Sequence, residues 1–218
     1  MSTWPAPPAP PSRRRRSSTR WLVIILAVVA AVGAIVFMAV RLVGPALDSA
    51  TGKRATPAVT TAAGTGNAVK PSTTKVVTAT DRQSRVAVPK SWKKMELVDD
   101  GVIEVGDKVS NQYLIVLTER KADLDMDLRR FSRVVIASLT EHVTSKQLSA
   151  PTSLRVGGRP ALQVQIRGTI NGIRVVYWHT SVEGVRNYHQ VIAWTVASQE
   201  KRDGPKLRQI ISSFREIT

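Results

Sequence analysis

The sequence predicts an α+β domain, an α/β/α sandwich with a central antiparallel sheet, preceded by a single transmembrane helix. Three observations lead there. Residues 21–40 carry no charged or polar side chain. Two stretches of 3.6-residue apolar periodicity alternate with long strand-like segments. Asn171-Gly172 and Glu183-Gly184 break those segments as hairpin turns do.

The 218 residues hold 32 Lys and Arg against 16 Asp and Glu, a formal net charge of +16 with a pI near 11.1. Such a pI suggests nucleic acid until the charge is located. Ten of the basic residues and one acid, Asp48, lie in residues 1–80, so more than half of the excess sits outside the domain-like part. A nucleic-acid partner is therefore not expected. With no cysteine, disulfides, a thiol nucleophile and Cys-ligated zinc or iron–sulfur are excluded. The 43% apolar content suffices for a core.

Residues 1–20 form a tail. Pro5, Pro7, Pro8, Pro10 and Pro11 favour extended polyproline II. Pro8 to Arg13 fits a PxxPxR pattern of the kind that SH3-type grooves bind, but any Pro-rich tail before an arginine cluster matches it by chance, and an extended tail ahead of a topogenic charge cluster is the reading taken.

Residues 21–43 are read as the transmembrane helix. Its apolar run, WLVIILAVVAAVGAIVFMAV, spans about 30 Å as a helix, the thickness of a bilayer core. A soluble helix apolar on every face would need more protein around it than this chain offers. A cleaved signal peptide would have a shorter apolar region and a clearer small-residue site. Arg13, Arg14, Arg15, Arg16 and Arg20 precede the run with no acid nearby, and Arg41 alone follows closely. The positive-inside bias puts the N-terminus in the cytoplasm and the C-terminal bulk outside, a single-pass cell-membrane topology. Ala27/Ala31 and Ala30/Ala34 are spaced as helix-pairing residues are, or as plain membrane filler.

Residues 44–80 are dominated by Ala, Thr, Gly, Pro and Ser and hold no aromatic residue, which reads as a flexible stalk. Its mean reach is roughly 30–35 Å. Lys75–Thr80 (KVVTAT) has the composition of an edge strand.

Residues 81–218 are read as one extracytoplasmic domain. Strands are expected at Arg85–Val88, Lys94–Val98, Val102–Val105 and Gln112–Arg120. Leu124, Leu128, Phe131, Val135, Leu139 and Val143 then recur at helical spacing, giving four to five turns with Asp123 and Asp125 at the N-terminus. Further strands are expected at Thr152–Val156, Ala161–Ile170, Ile173–Val182 and Val185–Ala197. Two-residue turns at Asn171-Gly172 and Glu183-Gly184 set the register. Leu162, Val164, Ile166, Val175, Tyr177, Tyr188, Ile192 and Trp194 then share one face. In that register His179 lies beside Val164 and Tyr188, and His189 opposite Trp178. Leu207, Ile210, Ile211 and Phe214 mark a second amphipathic helix introduced by Asp203 and Pro205.

The order of VAVPKSW (86–92), DLDMDLRRF (123–131), GGRPALQVQIRG (157–168) with its hairpins, and LRQIISSF (207–214) resembles the PsbP-like family of small α/β/α domains. The resemblance covers nearly all of residues 84–216. The GGRPA…W…L..I..SF arrangement is also similar to C-terminal domains of type VII secretion-associated membrane proteins of Gram-positive bacteria. The resemblance implies a non-enzymatic accessory, assembly or binding module and carries no site residues with it.

Chemistry is sparse. His142, His179 and His189 lack the spacing of a metal site or triad. The Asp123/Asp125/Asp127 run lacks the Gly and terminal Glu of a calcium loop. No catalytic residue, metal or cofactor is expected. Two surfaces stand out for binding. Trp178, His189, Gln165, Arg167 and Arg174 fall on the sheet face opposite the main core, either as an open face or beneath a covering helix. Lys201, Arg202, Lys206 and Arg208 surround the last helix as a basic patch or a solvated face. The expected function is a membrane-anchored, non-catalytic accessory domain with a protein partner in the cell envelope. The alternative is a receptor for an anionic lipid or cell-wall polymer.

Overall fold

A computed structural model describes residues 73–217. The tail, the apolar run and nearly all of the stalk lie outside the described residues. No helix among the described residues is long and apolar enough to cross a membrane.

The chain runs β1 (Thr74–Thr78), β2 (Ser84–Pro89), β3 (Lys93–Lys94), β4 (Ile103–Asp107), β5 (Gln112–Arg120), α1 (Leu128–Leu139), β6 (Thr144–Leu148) and β7 (Thr152–Val156). It continues through β8 (Arg159–Ile170), β9 (Ile173–Glu183), β10 (Asn187–Val196), α2 (Glu200–Ser212) and β11 (Arg215–Glu216). The main antiparallel sheet has the order β3-β4-β5-β10-β9-β8-β6, and β7 also pairs with β8. A small sheet, β1-β2-β11, lies apart from it. The first strand falls inside the stretch read as stalk, where KVVTAT was expected to form an edge strand.

Both faces of the main sheet are covered, which makes an α/β/α sandwich. On one face Tyr113, Ile115, Leu117, Ile166, Tyr177 and Trp194 pack beneath Ile136 and Leu139 of α1. On the other, Leu114, Val116, Val176, Trp178 and Val191 meet Leu207, Ile210 and Ile211 of α2, with Val86 and Val88 of the small sheet. This explains the continuous apolar run in β5: a strand buried on both sides does not alternate.

Side chains that bond to the backbone move several boundaries from where periodicity puts them. Asp127 accepts a 2.7 Å hydrogen bond from the Arg130 N–H and caps α1, so the helix starts at Leu128 and not near Asp123. Leu124 is buried beside Phe131 and Val135 from the preceding turn, so it obeys the helical period without being helical. At the other end the Thr140 hydroxyl donates to the Ile136 carbonyl, and Val143 reaches the core from beyond the helix. The strand expected at Lys94–Val98 shrinks to two residues. The Glu104 carboxylate takes the Leu97 and Val98 N–H groups, the latter at 2.9 Å, away from the ladder. β6, exposed along its length, has no apolar alternation and pairs with β8 through backbone and the Thr144 hydroxyl, which donates to the Thr169 carbonyl.

The Asn171-Gly172 turn is as expected, with Ile170 opposite Ile173 and φ of 48° and 80° at the two loop residues. The next turn differs. Glu183 pairs with Tyr188, and the Gly184 N–H donates to the Asn187 carbonyl, so the loop is Val185-Arg186. The loop thus sits two residues later than expected, and β10 begins at Asn187 and not at Val185. An even shift keeps every side chain on its expected face but changes its partners. His189 therefore lies across from Val182, not Trp178, and His179 lies across from Val164 and Ile192, not Tyr188. The last helix also begins earlier, at Glu200, with Pro205 inside it.

Candidate functional site

The Trp178 face is not open. Trp178 and His189 are fully buried, and α2 lies over the indole. The residues expected there hold the helix in place. Gln165 donates to one Glu200 carboxylate oxygen at 2.7 Å, and the Arg167 guanidinium grips both oxygens at 2.5 and 2.9 Å. This pairing holds the Glu200 carboxyl below its ordinary pKa, first through the Arg167 hydrogen bond. Arg167, though paired, and Arg174, at the hairpin end of β9, stay exposed. The sheet is apolar on this side too, and a buried Trp cannot serve as a surface anchor.

Little of the basic patch is free. Lys201, Arg202, Lys206 and Arg208 are exposed on α2. Arg202, however, forms a two-pronged pair with Asp203 at 2.8 and 3.0 Å. Lys206 donates to the Gln112 side chain at 2.8 Å. Arg208 lies over the Trp178 ring, 5.6 Å from its centroid. That leaves Lys201 as the uncommitted cation of the four.

The buried histidines are structural in their contacts. His179 Nε2 meets the Gln190 side-chain oxygen Oε1 at 3.2 Å, and burial lowers its pKa to about 4. His189 Nδ1 lies 3.0 Å from the Thr118 hydroxyl, and Nε2 faces Glu216 at 3.6 Å. Burial lowers the His189 pKa, with Glu216 opposing. Glu216 also pairs with Arg159 at 3.0 Å and accepts from the Val185 N–H. This cluster ties the C-terminal strand to the β9–β10 hairpin. Among the described residues no group of three or more His, Asp or Glu is placed to hold a metal.

A surface feature with the shape of a site lies elsewhere, between α1 and β6–β8. It is a half-open groove of about 410 Å³, within the size range of small-molecule pockets. One face of α1 forms its wall, with Arg129, Ser132, Arg133, Ile136, Ala137 and Thr140 at helical spacing. Leu162 and Val164 of β8 form the floor, and Leu148 and Pro151 the far rim. Arg129 and Arg133 are both exposed. The sequence reading missed the groove because β6, whose pairing raises the far wall, has Leu148 as its single apolar residue. The i, i+4 spacing of the two arginines beside Ser132 and Ile136 was the available signal.

No family model matches the chain, and none of the curated proteins does. Among solved structures, CyanoP, the cyanobacterial PsbP of Synechocystis sp. PCC 6803, aligns with a TM-score of 0.50 at 11% identity. The alignment covers 71% of this chain and 98% of that one. The described domain has a PsbP-like fold. LpqN of Mycobacterium tuberculosis, involved in cell envelope biogenesis, aligns at 0.49 and 13% identity over 66% of this chain and 91% of its own. The Ran-binding protein Mog1p of Saccharomyces cerevisiae aligns at 0.48 and 13% identity, over 65% and 94%. At such identities the likeness concerns the fold alone.

Proposed function

We propose that this protein is a single-pass, membrane-anchored accessory domain that faces away from the cytoplasm and assists an envelope or secretion protein complex by binding, without catalysing a reaction. The observation that carries this reading is the use the fold makes of its chemistry-bearing side chains. Trp178, His179, His189, Arg167 and Glu216 all serve internal packing and pairing. The surface left over offers a groove and an exposed helix face, which suit binding. The uncharged run 21–40 behind an arginine cluster supports the anchor and its orientation. The similarity to type VII secretion-associated domains supports an envelope setting.

Cross-linking in intact cells, followed by pull-down of the full chain from membranes, tests the reading. Reproducible recovery of the same envelope protein at native expression is the expected result. Repeated recovery of the chain alone would count against it. The second reading, a receptor for an anionic envelope ligand, loses support at the α2 patch, where three of the four cations are engaged. It gains support at the groove beside α1.

A further inference from the structure

We propose that the groove between α1 and β6–β8 binds a single-chain amphiphile with an anionic head. This rests on the binding-domain reading above but on no particular membrane topology. The argument begins with Arg129 and Arg133. They lie one helical turn apart on the same wall, and both are exposed. Neither has an ion-pair partner among the described residues. Three arginines among the described residues form ion pairs, Arg159 with Glu216, Arg167 with Glu200 and Arg202 with Asp203; what sets Arg129 and Arg133 apart is that two unpaired ones share a groove wall. Two unpaired guanidiniums side by side repel each other and are poorly placed for stability. A shared phosphate or carboxylate relieves that repulsion and accepts paired, charge-assisted hydrogen bonds from planar donors.

What lies beneath the arginines selects the rest of the ligand. Ile136, Leu162 and Val164 give an apolar floor, and Leu148 stays 45% exposed at the rim. A free inorganic anion would gain nothing from that surface. A neutral hydrocarbon would gain nothing from the arginines. A molecule with one anionic end and one apolar chain uses both, with its head at the Arg129/Arg133 end and its chain lying along β8 toward Leu148. The Ser132 and Thr140 hydroxyls line the same wall, where they add no charge to compete with the head.

The test uses the purified full chain in zwitterionic nanodiscs and a dodecyl phosphate carrying a photoreactive diazirine on its chain. Cross-linked peptides are mapped by mass spectrometry, and only those from residues 129–164 are scored. Groove labelling is expected, with competition by dodecyl phosphate but not by dodecanol or inorganic phosphate at the same concentration. Competition by laurate as well would place the specificity in the negative charge of the head; its failure would narrow the head to a phosphate. Arg129→Ser with Arg133→Ser is expected to cut labelling at least about tenfold, the scale of losing charge-assisted contacts. Ala137→Trp, at an exposed position facing the groove, is expected to block it. If either variant melts differently from the parent, the competition series on the unaltered chain decides. Absent groove labelling, equal competition by dodecanol, or displacement by inorganic phosphate or an acidic peptide at lower concentration would overturn the proposal. None of these outcomes touches the accessory reading, which is tested separately in intact cells.

Discussion

Gly204 of α2 lies against the indole of Trp178. A Cβ on Gly204 would stand 2.9 Å from ring atom Cζ2 and 3.1 Å from Cη2, closer than side chains pack. One turn on, Arg208 covers the same ring. The helix thus seats on the sheet through a notch that a glycine leaves open, and this contact decides for the covered alternative at the Trp178 face.

The notch reverses a familiar sign. In an ordinary helix interior, replacing Gly by Ala gains about 1 kcal/mol. Here Gly204→Ala is expected to cost about 1–3 kcal/mol, because the added methyl overpacks against a ring that cannot retreat. Trp178→Ala should cost about 3–5 kcal/mol by leaving a cavity. Denaturant unfolding of both variants checks this. A Gly204→Ala protein as stable as its parent would remove the account of how α2 is seated.

The C-terminal clasp makes a second prediction. The Glu216 side chain is 5% exposed and holds Arg159 while accepting from the Val185 N–H. Glu216→Ala leaves an N–H and a guanidinium without their acceptor and is expected to cost about 2–3 kcal/mol. The Lys121–Glu183 pair is about a third exposed on each side. Lys121→Ala should therefore cost only about 0.5 kcal/mol. Equal losses in thermal melts would contradict the distinction.

Stability should depend on pH through two opposed groups. Burial lowers the His179 pKa from 6.5 to about 4. The unfolded chain takes up this proton first, so acidification from pH 6.5 toward 4 favours unfolding; the contribution is complete above 6.5. His189 shifts in the same direction. Burial, with Asp100 and Asp123 nearby, raises Glu119 from 4.5 to about 7. The folded chain keeps that proton longer, so raising pH from 4.5 to 7 favours unfolding; this contribution is complete below 4.5. Between pH 4.5 and 6.5 the slopes oppose each other, each up to about 1.4 kcal/mol per pH unit. Glu119→Gln is therefore expected to steepen the loss of stability on acidification and to stabilise the protein at pH 8. His179→Gln should flatten the acid side. Denaturant melts across pH 5–8 read both effects, and a Glu119→Gln profile parallel to the parent would refute the opposition.

Helix capping gives a fourth. Asp127→Ala removes the α1 cap and is expected to cost about 1 kcal/mol, whereas Asp123→Ala and Asp125→Ala should cost almost nothing. Equal effects at all three positions in unfolding curves would return the helix start to where periodicity put it.

Much of this fold could be read from apolar spacing alone. The β8–β9 hairpin follows from Asn171-Gly172, and the core face of Val164, Ile166, Tyr177 and Trp194 follows from alternation. Where the reading missed, a side chain bonds to backbone at a distance that spacing does not encode. Asp127 and Thr140 shorten α1, Glu104 strips β3, and Glu216 holds the β9–β10 loop. The Trp178 face stayed ambiguous, open or covered, for a different reason. Its polar neighbours Gln165 and Arg167 are there for Glu200, 35 and 33 residues away, a pairing visible only once α2 is folded back. The groove beside α1 stayed hidden because the strand that builds its far wall has a single apolar residue, Leu148, and no alternation.

The central claim is that this domain stands outside the cytoplasmic membrane. The chain has no cysteine, and Val109, in the β4–β5 turn, is 93% exposed. Val109→Cys thus gives a single reactive thiol on the domain. The measurement is labelling of this variant in intact cells by a membrane-impermeant maleimide. Labelling before lysis at the level seen after lysis is the predicted result. A thiol that reacts only after the membrane is broken would contradict the account.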